Sequence, residues 1–317
     1  MNMQTAMAEA GALLEFKPED AVCLGGYHNN VYEVIADQPL VVKFLETETN
    51  GGESLIAEMN WLSFLSRNGM DVVTPVEIGG KYITPLSNGL CMVVFEKAAG
   101  RHIDFQDPRM WNDSLFLEWG RSMGKLHLLA LKYEPGPYKR KHWHEHDLFQ
   151  RDMSILDESL QQRLKGCLQT MHDMNNVPDE FGLIHGDLHQ HNLLFGPERL
   201  TILDFGDSEY HWFAYDAAVA VYHAVQTVEP GKTRMEFAKR FTDRFLEGYA
   251  QGKGNASGMH MLDFFLNFRH LYSYAYHRIF SEQDQLTPKQ REYLEKMRLS
   301  LLADPSFLGY GLLQSQS

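Results

Sequence analysis

Three polar positions stand at spacings that suit phosphoryl transfer. In His185-Gly186-Asp187-Leu188-His189-Gln190-His191-Asn192 an aspartate precedes an asparagine by five residues, and a second aspartate opens Asp204-Phe205-Gly206 after a short hairpin. The first aspartate can accept or orient the proton of a nucleophilic hydroxyl. The asparagine amide oxygen and the second carboxylate are hard oxygen ligands of the kind Mg²⁺ takes, and the ion offsets triphosphate charge. Each of these residues alone would be an ordinary turn residue; the set at this spacing carries the reading. An apolar strand over 200–203 would hold Asp204 rigidly across from the loop. Lys43, inside the apolar run 41–45, is a candidate phosphate cation, because a lysine there is costly unless paired.

The surrounding pattern predicts the elements that position these groups. Strands are expected at 31–35 and 40–45, with Asp37-Gln38-Pro39 as the turn between them. Leu55, Met59, Leu62 and Leu65 share a face of a helix over 53–67, and Gly69 ends it. Short strands follow near 74–78, 81–84 and 90–95. Beyond Gly100 the texture is helical. Leu115, Trp119, Met123 and Leu126 mark one helix, and Leu156, Leu160, Leu164 and Leu168 another. A β-like block at 183–203, broken at Gly196-Pro197, precedes helices at 212–228, 234–251, 260–280 and 288–302. Residues 252–258 read as a short flexible connection, and 314–317 as a frayed tail. The expected class is α+β, with a small antiparallel-sheet N-lobe over 1–97, a hinge near 95–100 and a larger, mostly helical C-lobe over 98–317.

Composition limits the partners. The 317 residues carry 29 Lys+Arg against 42 Asp+Glu, a net charge of −13, which argues against non-specific nucleic-acid or anionic-membrane binding. Cys23, Cys91 and Cys167 are far apart, so neither a disulfide framework nor a zinc ribbon is expected. Neither a signal-peptide pattern over 1–11 nor a long apolar span is visible, and a cytoplasmic location is the expectation.

The 185–216 block is similar to the aminoglycoside phosphotransferase, choline kinase and type II homoserine kinase superfamily, which shares a two-lobed protein-kinase-like fold. The likeness extends over about 24–280. It implies an enzyme that uses ATP and Mg²⁺ to phosphorylate a hydroxyl. By resemblance, Asp187 is the catalytic base, Asn192 and Asp204 are metal ligands, and His185 braces the catalytic loop. Asp216, at the start of the next helix, would tether catalytic-loop N–H groups; a plain carboxylate at a helix N-terminus is the other reading. Glu58 matches the family's helix glutamate and would pair with Lys43, with Glu53 a nearby rival. The phosphate-covering loop departs from G-x-G-x-x-G. There Leu24-Gly25-Gly26-Tyr27-His28-Asn29-Asn30 offers two glycines for close backbone approach and two amide donors. The segment 92–100 resembles the interlobe hinge, so backbone groups at Phe95, Glu96 and Ala98 would meet the base.

His189 stands where protein kinases place a lysine, and only 12 positions separate Asp204 from Asp216, too few for an activation loop. The acceptor is therefore read as a small molecule, aminoglycoside-, amino-alcohol- or homoserine-like. A bacterial Ser/Thr protein kinase on this scaffold and a non-catalytic nucleotide-binding module are the alternatives. Asp207, Glu209, Tyr210, Trp212 and Phe213 are candidate acceptor walls, with Arg269 and Tyr272 opposite. Acidic and aromatic groups suit an amine; Arg269 equally suits a carboxylate. His142, His144 and His146 alternate, so an extended segment would align them for a transition metal, but an exposed loop or an acceptor rim is the favoured reading. The donor's base and the oligomeric state stay open.

Overall fold

A computed structural model describes residues 3–26, 29–46, 52–87, 89–175, 177–196, 199–309 and 311–312. Tyr27 and His28 of the phosphate loop, Pro197 of the hairpin and the tail 314–317 lie outside the described residues. The chain divides into two compact units. One comprises 1–102, 132–140 and 191–206; the other comprises 103–131, 141–190 and 207–317.

The first unit is built on an antiparallel sheet of β1 (Val22–Gly25), β2 (Val31–Ile35), β3 (Pro39–Glu46), β6 (Leu90–Glu96) and β4 (Pro75–Val76), in that order, with β5 (Ile83–Pro85) also pairing β6. Side-chain alternation sorts β3 by face. Val42 and Phe44 are buried with Met92 and Val94 and with Ala6, Met7, Ala10 and Leu14 of a helix, α1 (Met3–Leu14). Lys43 and Leu45 turn to the other face, where Val93, Phe95 and residues of α2 (Gly52–Arg67) meet them. Lys43 is thus aimed at α2 by strand parity. Gly69, at φ +71°, follows α2 as expected. Tyr133, from the returning segment, packs on Trp61 and Phe64 of α2. A second sheet runs β10 (Leu200–Ile202), β9 (Leu193–Phe195), β7 (Arg101–His102).

The second unit contains α3 (Asp113–Ala130), α4 (Glu158–Asp173), α5 (Phe213–Val225), α6 (Lys232–Lys253), α7 (Leu262–Phe280) and α8 (Pro288–Ala303), with the strand pair β8 (Phe181–Leu183) and β11 (Tyr210–Trp212). Every residue of α5 except His223 is buried. Such a helix belongs at the centre of its unit. Among the described residues, no helix is long and apolar enough to cross a membrane.

α3 and α6 approach each other at backbone distance. A Cβ on Gly248 would overlap the Leu117 carbonyl oxygen, and one on Gly252 that of Arg121. Gly120 and Gly124 meet the Phe245 and Tyr249 carbonyls in the same way. Gly252 and Lys253 therefore end α6 and do not belong to a flexible connection as the sequence suggested. The Lys253 side chain is fully buried, its Nζ 2.8 Å from Asp179 Oδ1. Gly248→Ala is expected to destabilise by about 1–3 kcal/mol, since overpacking displaces backbone here, with no flexible side chain to yield. Chemical denaturation checks this; an unchanged midpoint would refute the close packing.

Candidate active site

In the first unit the site grows from two hairpins. Lys43 Nζ lies 3.1 Å from Asp204 Oδ1. Lys43, Glu58 and Arg140 line one cavity of about 100 Å³. Arg140 had no place in the sequence-based site, because it sits in a basic stretch with no informative spacing. Its guanidinium donates to Ser54 O at 3.1 Å and Ser54 Oγ at 2.9 Å, and to the Gly206 carbonyl. It also lies 3.8 Å from Glu58 Oε2. One largely buried guanidinium therefore ties the N-terminal turns of α2 to the turn after Asp204.

β9 and β10 pair with Leu193 opposite Ile202, and Leu203 N–H donates to Asn192 O at 2.9 Å. The open end of this hairpin brings Asn192 and Asp204 together. Asp204 holds φ +54°, a left-handed conformation that aspartate tolerates better than most residues. An amide oxygen and a carboxylate fit Mg²⁺, which takes few protein ligands when phosphates and water fill the remaining positions. Among the described residues, no cluster of three His, Cys, Asp or Glu side chains could hold a metal unaided. Asp204→Ala should abolish the metal-dependent part of nucleotide binding. Titrating ATP with and without Mg²⁺ reads this directly, and an unchanged metal dependence would remove Asp204 from the ligand set.

Some expected nucleotide groups are committed elsewhere. Asn30 is buried, and its amide donates to Phe44 O at 2.7 Å, so it pins its own loop to β3 and is not poised for a phosphate. Gly25 and Gly26 hold φ +110° and +88°, as a tight phosphate-facing turn requires. Glu96 and Ala98 line a cavity of about 450 Å³ with Gln38 and Pro39. However, Glu96 N–H donates to Thr74 O and Lys97 N–H to Pro39 O, which removes both donors from the set open to a base. Phe95 is buried and lines the Lys43 cavity.

In the second unit the chemistry centres on Asp187. Gly186 adopts φ +86° with its Cα against the Asp207 carbonyl, a place only glycine fits. His185 is fully buried, and its Nδ1 accepts the Asp187 N–H at 3.2 Å. Asp216 accepts His185 N–H and Gly186 N–H, both at 3.0 Å, and faces His127 Nε2 at 3.0 Å. The tether reading of Asp216 therefore prevails. Burial opposes its charge, but the His127 and backbone donors hold the carboxyl below its usual range. His127 is pushed down by burial, so it stays neutral and gives Nε2–H to Asp216, while Tyr249 O–H donates to its Nδ1 at 2.9 Å. The Tyr249–His127–Asp216 chain crosses three helices and left no local sequence signal.

The Asp187 carboxylate has a cation behind it. Arg269 Nη2 lies 2.8 Å from Oδ1, His223 Nε2 3.8 Å from Oδ1, and His189 Nε2 3.3 Å from Oδ2. Burial raises the Asp187 pKa, but the His189 hydrogen bond and the Arg269 charge hold it far below the carboxylate range. Arg269, offered by the sequence as an acceptor contact, instead faces Asp187. Trp212 is buried against Trp143, Phe181 and Phe265, so it belongs to the core and not to an open acceptor wall. Tyr272 remains partly exposed, with its hydroxyl 2.7 Å from His146 Nε2. Asp207 is exposed and Glu209 half-buried. The segment 143–150 forms short 3₁₀ turns, which removes the shared face an extended segment would give His142, His144 and His146.

These features define a phosphotransferase of the protein-kinase-like class. The model of the phosphotransferase enzyme family matches residues 21–265. The chain belongs to that family, and it is a kinase acting on an alcohol group. Amicoumacin kinase of Bacillus subtilis (strain 168) is 27% identical over 308 residues, covering 93% of this chain and 90% of that one. The structure of amicoumacin kinase hAmiN in complex with AMP-PNP, Ca²⁺ and Ami is similar with a TM-score of 0.89 at 25% identity, over 100% of this chain and 98% of that one. A microcompartment-associated aminopropanol kinase shares the fold at a TM-score of 0.71 and 20% identity, over 98% of this chain and 100% of that one.

Proposed function

We propose that the protein transfers the γ-phosphoryl group of ATP, with Mg²⁺, to a hydroxyl of an amine-bearing small molecule. Two observations support this: Asp187 is locked in its loop, and, separately, a hairpin sets Asn192 and Asp204 at one end. Asp187 orients the acceptor hydroxyl. Asn192 and Asp204 hold the metal, which when bound supplies charge neutralisation for the phosphates. Lys43 meets the α- and β-phosphates, and Glu58 and Arg140 fix its surroundings. Gly25 and Gly26 cover the phosphates, and the cavity beside Glu96 and Ala98 takes the base. Catalysis is then mainly positioning and electrostatics. The nucleotide-binding role falls to 1–97 and the catalytic and acceptor role to 98–317.

The acceptor class follows from where the charges are spent. Arg269 is committed to Asp187, so a carboxylate-bearing, homoserine-like acceptor loses its cation. Asp207, Glu209 and Tyr272 offer acidic and aromatic contacts, which suit an amine. Amicoumacin and aminopropanol, named for the relatives, head the compounds to try, and the net charge of −13 disfavours nucleic-acid and membrane partners. ADP release with Mg·ATP across amicoumacin, aminopropanol, choline, aminoglycosides and homoserine tests the reading, with Asp187→Asn as the blank. Release driven by amines supports it. Homoserine as the best acceptor would overturn the amine assignment, and labelling of protein alone would overturn the small-molecule one.

A further inference from the structure

We propose that Arg269 is a positioning residue for the transfer reaction: it pins Oδ1 of Asp187 while His189 Nε2 faces Oδ2, so the carboxylate is held at one orientation toward the acceptor hydroxyl. This rests on Asp187 being the base, as assigned above.

Three elements meet at this point. Asp187 comes from the catalytic loop, Arg269 from α7, and Tyr215 and His223 from α5. Arg269 Nη2 is 2.8 Å from Asp187 Oδ1 and 3.2 Å from His223 Nε2, while Nη1 donates to Tyr215 Oη at 3.2 Å. An Nη2 group has two hydrogens, one for each of its partners. His223 Nε2 therefore accepts, which makes that imidazole neutral and leaves Arg269 as the cation at Oδ1. Tyr215 is also neutral, its phenol pushed up to about 12 chiefly by burial. The guanidinium carbon sits 5.5 Å from the centre of the Tyr272 ring. Salt bridge, hydrogen bonds and ring together hold the guanidinium at one orientation.

Exposure separates the two partners. The Arg269 side chain is 11% exposed and that of Asp187 27%. An acceptor reaches the carboxylate and finds the guanidinium behind it. A carboxylate bound through Oδ1 to a fixed guanidinium and facing His189 Nε2 at Oδ2 cannot rotate freely, so its remaining lone pairs present a defined direction. Small misplacements of a reacting group are costly: a shift of about 1 Å can lower a rate on the order of 10²-fold.

A double-mutant cycle tests this. Arg269→Gln should lower kcat on the order of 10²-fold, with the KM values for acceptor and ATP little changed. Arg269→Lys should restore part of the loss, since it keeps the charge and loses the planar fork. In the Asp187→Asn background, Arg269→Gln should cause no further fall, because its only route to the reaction has gone. A raised acceptor KM with kcat preserved would make Arg269 an acceptor contact and overturn the proposal. An equal loss in both backgrounds would make its role structural and overturn it as well. Should Arg269→Gln fail to fold by thermal melt, Arg269→Lys carries the same cycle. Full turnover in Asp187→Asn alone would bring down the base assignment; a normal loss there with additive effects at 269 would bring down this proposal only.

Discussion

Asp187→Asn is expected to lower kcat by about 10²–10⁴-fold, the usual contribution of a positioned acid or base. Binding of Mg·ATP should survive, because the groups assigned to nucleotide and metal are Lys43, Asn192 and Asp204, and Asp187 is not among them. The substitution keeps the shape of the side chain and replaces one acceptor oxygen with an NH₂ group. On the Oδ2 side that NH₂ would confront the N–H of His189, which faces the carboxylate at 3.3 Å. On the Oδ1 side the amide oxygen can still accept from Arg269, but without charge. A buried cation then loses its counter-ion, and removing one partner of such a pair typically costs about 3–5 kcal/mol. The lower half of that range is the better expectation, because Asp187 keeps some contact with solvent. Steady-state kinetics, nucleotide titration and thermal melts on one preparation separate the three effects. Wild-type turnover in this variant would show that Asp187 is not the base.

The strands of the first unit and the 193–202 hairpin were largely legible in the sequence because their signals are local. Strand alternation placed β2, β3 and β6, and the leucine spacing of α2 placed its buried face. Asn192 and Asp204 stay together on folding because one short hairpin spans them. What escaped were relations between distant segments. Arg269 and Asp187 are 82 positions apart, and nothing near either one specifies the other. Arg140 looked like part of a solvated basic run until the returning chain brought it against α2. The α3–α6 contact was hidden for a different reason. Glycine at Gly248 and Gly252 is a breaker signal by composition, yet here it permits close helix packing, and only the neighbour's position tells the two apart. Helix α1 did leave a trace: Ala6, Ala10 and Leu14 recur every four residues, but small alanines give a weak amphipathic pattern. Trp212 misled because an aromatic beside acidic residues resembles a binding wall, whereas three neighbouring rings bury it.

The second large effect is expected at Asp216, which touches neither nucleotide nor acceptor in the roles assigned here. Its carboxylate is completely buried and receives the His185 and Gly186 N–H groups and His127 Nε2–H. Asp216→Ala leaves three buried donors unmet at once. Each buried orphan costs about 1–3 kcal/mol, and loss of one partner from a buried charged network about 3–5 kcal/mol; these overlap and do not add. A fall in Tm on the order of 10 °C follows for a chain of this size. Asp216→Asn should recover only part, because its NH₂ must face at least one N–H donor. Activity should fall beyond what the lost folded fraction explains, since the tethered amides are those of the residues immediately before Asp187. The acid side adds a sign. The Asp216 carboxyl lies below its usual value when folded, so the unfolded chain binds the extra proton first, and this stabilisation is present above about pH 3.9 and lost as pH falls through the folded pKa. Denaturation measured from pH 7 downward should show a shallower acid decline for Asp216→Ala than for the wild type. Amide exchange at His185 and Gly186, slow in the wild type, should accelerate in the variant. Unchanged exchange there, with unchanged Tm, would mean that the catalytic loop is held by something other than this carboxylate.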